Sequence, residues 1–221
     1  YVETFDILDA SPPPPMGEWP NCWKSDNYAG YTYKWQTSKG KSQWASTGPD
    51  FDNTQGVADG GTYFYTEASS QGYDANLVGG PFDLSTVNTP SLSFFYHMYG
   101  SDMGSLHVDI SKDNMNWNED VYVLKGQQHL AGSDPWTNAK IALSQFEDDT
   151  VYIRFRGIRG DGGNGDIAID DVIIDSLNGC IPPSGMILSC RSSNSLSVEW
   201  GSYASLHTTE WGPAGILKGS G

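Results

Sequence analysis

The chain has 221 residues and a formal net charge of −15, with 38% of its residues apolar. That charge argues against nucleic acid, whose phosphates need clustered Lys and Arg, and against anionic membrane surfaces, and no apolar run approaches the ~20 residues of a membrane-spanning helix. The 8 Trp, 12 Tyr and 8 Phe are enough to build a core, which excludes wholesale disorder.

Position 1 is Tyr rather than Met, which reads as a mature or excised segment. The first predicted strand is "YVETFDIL". "SPPPP" follows and cannot be sheet interior, because proline removes a ladder donor. The next stretch, "GEWPNCWKSDNYAGYTYKWQTSKGKSQW", holds four tryptophans and little alternation. Exposed aromatics are platforms for sugar rings and anchors at protein interfaces. Trp19, Tyr28, Tyr31, Tyr33 and Trp35 are therefore the candidate ligand-binding residues, with burial in the core as the competing reading; Trp23 and Trp44 belong to the same aromatic cluster and are open to either reading.

Period-2 patterns then dominate. "SLSFFYHMYG" sets Leu92, Phe94, Tyr96 and Met98 against Ser93, Phe95, His97 and Tyr99. "GSLHVDIS" sets Leu106, Val108 and Ile110 against His107, Asp109 and Ser111. "VYIRFRGI" sets Val151, Ile153 and Phe155 against Tyr152, Arg154 and Arg156. Each alternation predicts a half-buried strand, and "GSDMG", "SKDNMN", "GSDP" and "RGDGGNG" predict the turns between them. "NAKIALSQF" is compatible with a helical turn or with a strand and a bend. The fold class is all-β, an antiparallel β-sandwich of jelly-roll type.

"GDIAIDDVII" raises a chemical question. Asp170 and Asp171 are adjacent in a strand, and neighbouring side chains alternate faces, so one carboxylate is expected to face an apolar core. Either it accepts backbone N–H bonds or an Arg such as Arg154 or Arg156, or a cation neutralises it. His97, His107 and Asp109 imitate a zinc or catalytic set but read more simply as polar neighbours on a solvated face. No G-x-S-x-G, H-E-x-x-H or C-x-x-C occurs, so nothing in the sequence points to an enzyme. "RGD" at 159–161 matches an integrin-binding tripeptide, and its glycines equally make a turn.

The composition shifts after Cys180. "CIPPSG" reads as a linker and "SNSLSVEWG" as a new strand, which places a domain boundary at about residue 180. The three cysteines, Cys22, Cys180 and Cys190, permit at most one internal disulfide. A bridge between Cys180 and Cys190 is not expected, because an extended run of ten residues spans about 33 Å.

The ordered series "ETFD", "CW", "STGPDFDNT", "GTYFYTEAS", "SLSFFYHMYG" with "GSLHVDI", "WTNAKIAL" and "VYIRFRGIRGDGGNGDIAIDDVII" resembles a MAM domain, the adhesion module of meprins, neuropilins and receptor tyrosine phosphatases, over residues 1–180. Residues 181–221 resemble the start of a fibronectin type III repeat, cut short; they are expected to pack against the first domain or to pair with a second copy, so a homodimer is one expected state. The resemblance implies a non-catalytic extracellular recognition module of a larger secreted or surface protein. A carbohydrate-binding module tethered to a degradative enzyme is the alternative. The partner is then a protein or glycan at a surface, without nucleic acid or membrane insertion. The absence of N-x-S/T sequons and the acidity suit a bacterial protein. Animal members carry two disulfides, whereas here Ser91 stands where one half-cystine is expected and Cys22 is left without its partner. The resemblance implies a structural Ca²⁺ in their stead, with Asp6, Asp52, Glu67, Asp170 and Asp171 as metal ligands and Glu3 and Asp50 as further candidates.

Overall fold

The computed structural model describes residues 1–6, 8, 22–25, 32–42, 44–58 and 60–176, and the backbone of four later strands, 186–192, 195–200, 209–211 and 217–219. Residues 1–180 and 181–221 are separate units.

In the first unit two antiparallel sheets form a sandwich. One sheet runs β3 (Trp35–Lys39), β4 (Thr62–Thr66), β11 (Ile167–Ser176), β6 (Pro90–Met98), β9 (Thr137–Ala142), with the short β1 (Val2–Glu3) also paired to β11. The other runs β2 (Trp23–Ser25), β5 (Asp74–Asp83), β10 (Thr150–Ile158), β7 (Ser105–Ser111), β8 (Trp117–Lys125). Among the described residues the one helical turn is 3₁₀, at Ser144–Phe146, so "NAKIALSQF" combines both readings: its first part is strand β9 and its last three residues are the helical turn.

The alternating apolar rows build the core. Leu92, Phe94 and Met98 of β6, Leu106, Val108 and Ile110 of β7, Val151, Ile153 and Phe155 of β10, and Ile167 and Ile169 of β11 are buried in a single cluster. Each such side chain contributes roughly 1.5–3 kcal/mol when fully buried. In β11 the apolar phase then slips by one residue, to Val172 and Ile174. The cause is a bulge: β11 pairs with β6 in regular register up to Asp170↔Phe95 and resumes at Ile173↔Ser93, and Asp171 takes a positive φ of 47°. A bulged strand places two residues opposite one, and Asp tolerates the left-handed region better than most side chains.

The six-stranded sheet is buried on both faces. Its outer face carries a second apolar cluster of Tyr63, Tyr65, Trp136 and Ala168, with Phe51 and Phe95 packed on it. Loop 40–58 covers this face, tied down by Tyr63 Oη to the Gly40 carbonyl (2.7 Å) and Trp136 Nε1 to the Phe51 carbonyl (2.9 Å). Carboxylates on this face are therefore removed from water. The outer face of the five-stranded sheet is the polar one.

The second unit, by itself, has two hairpin ladders: β12 (Met186–Ser192) with β13 (Ser195–Trp200), and β14 (Thr209–Trp211) with β15 (Leu217–Gly219). The side chains of Cys180 and Cys190 and the expected docking of this tail lie outside the described residues.

Candidate functional site

The bulge answers the question posed by Asp170 and Asp171. Both carboxylates reach loop 52–54 instead of opposite faces of a regular strand. Asp170 Oδ2 accepts the Asn53 N–H (2.8 Å), and Asp170 Oδ1 accepts the Asp171 N–H (2.8 Å). Asp171 accepts Asn53 Nδ2 (2.5 Å) and the Thr54 hydroxyl (2.6 Å). Asp52, in the same loop, is fully buried; its Oδ2 accepts the Gln55 N–H (2.8 Å) and its Oδ1 is buried without a hydrogen-bond partner. Asp6 completes the group, its Oδ1 accepting the Thr62 N–H (3.1 Å). Asp6 Oδ1 and Asp52 Oδ2 both reach the space that a Cβ on Gly61 would occupy. Three distant segments thus bring four carboxylates together at the start of β4.

Electrostatics follow from burial and crowding. Burial first, and then the neighbouring Asp171 charge, push the Asp170 carboxyl well above the usual range. Burial raises Asp171 to about 6, against the lowering effect of Thr54 and Asn53, with Asp6 and Asp52 adding to the rise. Asp6 is raised chiefly by burial, with Asp52 adding to it. Four mutually repelling carboxylates in a water-poor site need protons or a cation. Among the described residues no three His, Cys, Asp or Glu side chains are grouped so as to hold a metal ion.

Several sequence expectations are corrected here. Glu67 does not join the group: it follows the far end of β4, about 16 Å along the strand from Thr62. Arg154 and Arg156 do not serve Asp170 or Asp171; both donate to Asp109 on the other sheet. His97 is separated from His107 and Asp109, because β6 and β7 lie in different sheets. His107 is bonded to Ser105 and Asp120, while His97 is buried against His129 with both ring nitrogens unpartnered. Burial lowers the His97 pKa to about 4, with His129 adding to the effect.

The aromatic candidates divide. Tyr33 and Trp35 are core residues, 2% and 0% exposed, bonded through Tyr33 Oη to Thr66 Oγ1 (3.1 Å) and Trp35 Nε1 to the Ala75 carbonyl (3.0 Å); neither presents a ring to a ligand. Trp19, Tyr28 and Tyr31 lie outside the described residues. Of the two tryptophans left open to either reading, Trp23 is in the core and Trp44 is 50% exposed. Within "RGD", Arg159 Nε is bound to the Ala68 carbonyl. Asp166, whose Oδ1 accepts the Ala68 N–H just past β4, was not singled out by sequence; its position in "GDIAIDD", four residues before Asp170 and so on the same strand face, is the signal that could have found it.

A family model described as MAM domain, meprin/A5/mu matches residues 18–180. Thyroid hormone-induced protein B of Xenopus laevis is 31% identical over 190 residues, 79% of this chain and 25% of that protein. MAM domain-containing protein 2 of Homo sapiens is 33% identical over 168 residues, 72% of this chain and 23% of that protein. The chain thus spans about a quarter of the length of these relatives. Among solved structures, the K1 cleaved adhesin domain of Lys-gingipain from Porphyromonas gingivalis W83 has a TM-score of 0.51 at 18% identity, covering 81% of this chain and 98% of that one; at that identity the likeness is one of fold.

Proposed function

The chain belongs to the MAM domain family, and from that premise we propose that it is a non-catalytic extracellular recognition module of a longer protein, stiffened by a Ca²⁺ ion. The family match over residues 18–180 supports the recognition role. The buried Asp52 Oδ1 without a partner, beside three further carboxylates, supports the cation. The donors are all oxygens, which suits a hard cation. Asp6, Asp52, Asp170 and Asp171 would hold it after closing in around the ion, because as they stand no three of them are grouped so as to hold a metal, and the bound ion would supply the charge neutralisation that these residues lack. Asn53 and Thr54 orient Asp171, and the backbone N–H groups of Asn53 and Asp171 orient Asp170. The residues on either side of the site belong to the N-terminal segment, loop 52–54 and β11, so the ion would join segments far apart in sequence, the service that disulfides give in other members.

A ligand, protein or glycan, would meet the exposed surface, where Tyr73 is 80% and Trp44 50% exposed. These rings are the observation that favours the second reading, a carbohydrate-binding module attached to a degradative enzyme. The test is binding of the purified chain to a glycan array and to immobilised extracellular proteins and cells. Saturable protein or cell binding without glycan retention is expected. Retention by one glycan class, lost when Trp44 and Tyr73 are replaced by alanine, favours the second reading. Turnover of a retained ligand would overturn the non-catalytic role.

A further inference from the structure

Glu67 and Asp166 form a second pair of buried carboxylates. β4 and β11 are in register at Tyr65↔Ala168 and Phe64↔Ile169. Continued by two residues, the same antiparallel ladder sets Glu67 opposite Asp166, on the face shared with Tyr65 and Ala168. Side chains directly opposite in this way have Cβ atoms about 4.5–5.5 Å apart, and like charges there repel. Glu67 is 5% exposed and Asp166 is fully buried.

Each carboxylate uses one oxygen on the backbone. Asp166 Oδ1 accepts the Ala68 N–H (2.9 Å) and Glu67 Oε1 accepts the Ser69 N–H (3.0 Å). The remaining oxygens, Asp166 Oδ2 and Glu67 Oε2, are buried with no hydrogen-bond partner. Among the described residues no ion pair reaches either residue. Arg159, the cation of the adjoining loop, gives its Nε to the Ala68 carbonyl. The Ser42 hydroxyl, which donates to the Thr47 carbonyl (2.7 Å), lies close enough to Asp166 to hold its carboxyl down somewhat against the effect of burial.

We infer that Glu67 and Asp166 form a second cation site, separate from the four-aspartate group, that takes a hard divalent ion of the Ca²⁺ class. The two unpartnered oxygens are its anionic ligands, and the Ser42 hydroxyl is a neutral one. Oxygen donors without imidazole or thiolate select a hard ion. A divalent ion matches the two charges of the pair, whereas a single shared proton leaves one negative charge buried without an ion-pair partner. Through Ser42 the ion ties loop 40–50 to the end of β4.

The test counts calcium bound to the full 221-residue chain by equilibrium dialysis and elemental analysis at about 1 mM Ca²⁺. The wild type should hold two ions, E67Q/D166N one, and D170N/D171N one. A wild-type count that E67Q/D166N leaves unchanged, or a wild type that holds none, overturns the inference, the latter result being that of a shared proton. The two sites are told apart by the variants. If only E67Q/D166N lowers the count, the second site stands and the four-aspartate site fails; if only D170N/D171N lowers it, the four-aspartate site stands and the second site fails. Should E67Q/D166N not fold, E67Q alone and Tb³⁺ luminescence excited through tyrosine replace it. E67Q should then weaken Ca²⁺-competable Tb³⁺ emission at least tenfold in affinity, and undiminished emission from both sites overturns the inference.

Discussion

Replacing Asp109 with alanine should be among the most damaging single changes on the solvated sheet. Asp109 on β7 is fully buried beneath Arg154 and Arg156 of β10, whose side chains are 13% and 17% exposed. Its Oδ2 accepts Arg154 Nε (2.8 Å) and Arg156 Nε (2.9 Å), and its Oδ1 accepts Arg156 Nη2 (3.1 Å) and the Asp120 N–H (2.8 Å). Burial alone would raise this carboxyl, but the hydrogen bonds from Arg156, the Asp120 N–H and Arg154 hold it below the usual range. Breaking a buried ion pair from one side costs ~3–5 kcal/mol. Glu119 and Asp120 still reach the stranded guanidiniums from the exposed side, which puts the loss near the lower limit, about 3 kcal/mol. For a domain of this size each 1 kcal/mol moves the melting temperature by roughly 2–4 °C, so D109A should melt about 6–12 °C below wild type in calorimetry. The stability given by the lowered pKa is present above the unfolded value and is lost as pH falls through the folded one. The D109A deficit should therefore shrink below pH 4. A deficit under ~1 kcal/mol at pH 7, the range of an exposed ion pair, would refute the view of this network as a buried one.

Two further changes test the outer face of the six-stranded sheet. His97 is neutral in the fold, with its pKa lowered to about 4, so its own contribution to stability should fall as pH drops from about 6.5 toward 4, by up to ~3 kcal/mol, while the raised carboxyls of Asp170 and Asp171 act in the opposite direction. Urea unfolding of H97F should lack that component, and an unchanged acid slope would place the titration elsewhere. Gly61→Ala puts a methyl where Asp6 and Asp52 converge and should cost ~1–3 kcal/mol by overpacking, with a larger loss of melting temperature in Ca²⁺ than in chelator.

The strands were legible in the sequence because period-2 alternation reports directly on a half-buried face; the rows Leu92–Met98, Leu106–Ile110 and Val151–Phe155 point into the core as their spacing implies. Alternation does not say which sheet a strand joins. That is why His97 and His107, on consecutive strands, group together in the sequence although the sandwich parts them. The proximity of Asp6, Asp52 and the Asp170–Asp171 pair was legible only through the family resemblance, since it depends on loop 40–58 folding back over the sheet. The bulge that turns both aspartates toward that loop depends on a left-handed φ at Asp171, which no local pattern signals. The burial of Tyr33 and Trp35 was hidden for a related reason: their neighbourhood shows little alternation, and burial there is set by packing against strands distant in sequence, as the Trp35 bond to Ala75 shows.

The most direct measurement is calorimetric melting of the chain in Ca²⁺ and in excess chelator, with D170N/D171N run beside the wild type. If the four-aspartate group binds Ca²⁺ in the native state only, the ion at about 100 times its dissociation constant adds ~2.7 kcal/mol. That corresponds to roughly 5–11 °C in this size range. The wild type should show at least that rise, and D170N/D171N should lose half of it or more. A wild-type melting temperature that is the same in Ca²⁺ and chelator, or a rise that the double variant keeps in full, would contradict a cation held by Asp6, Asp52, Asp170 and Asp171.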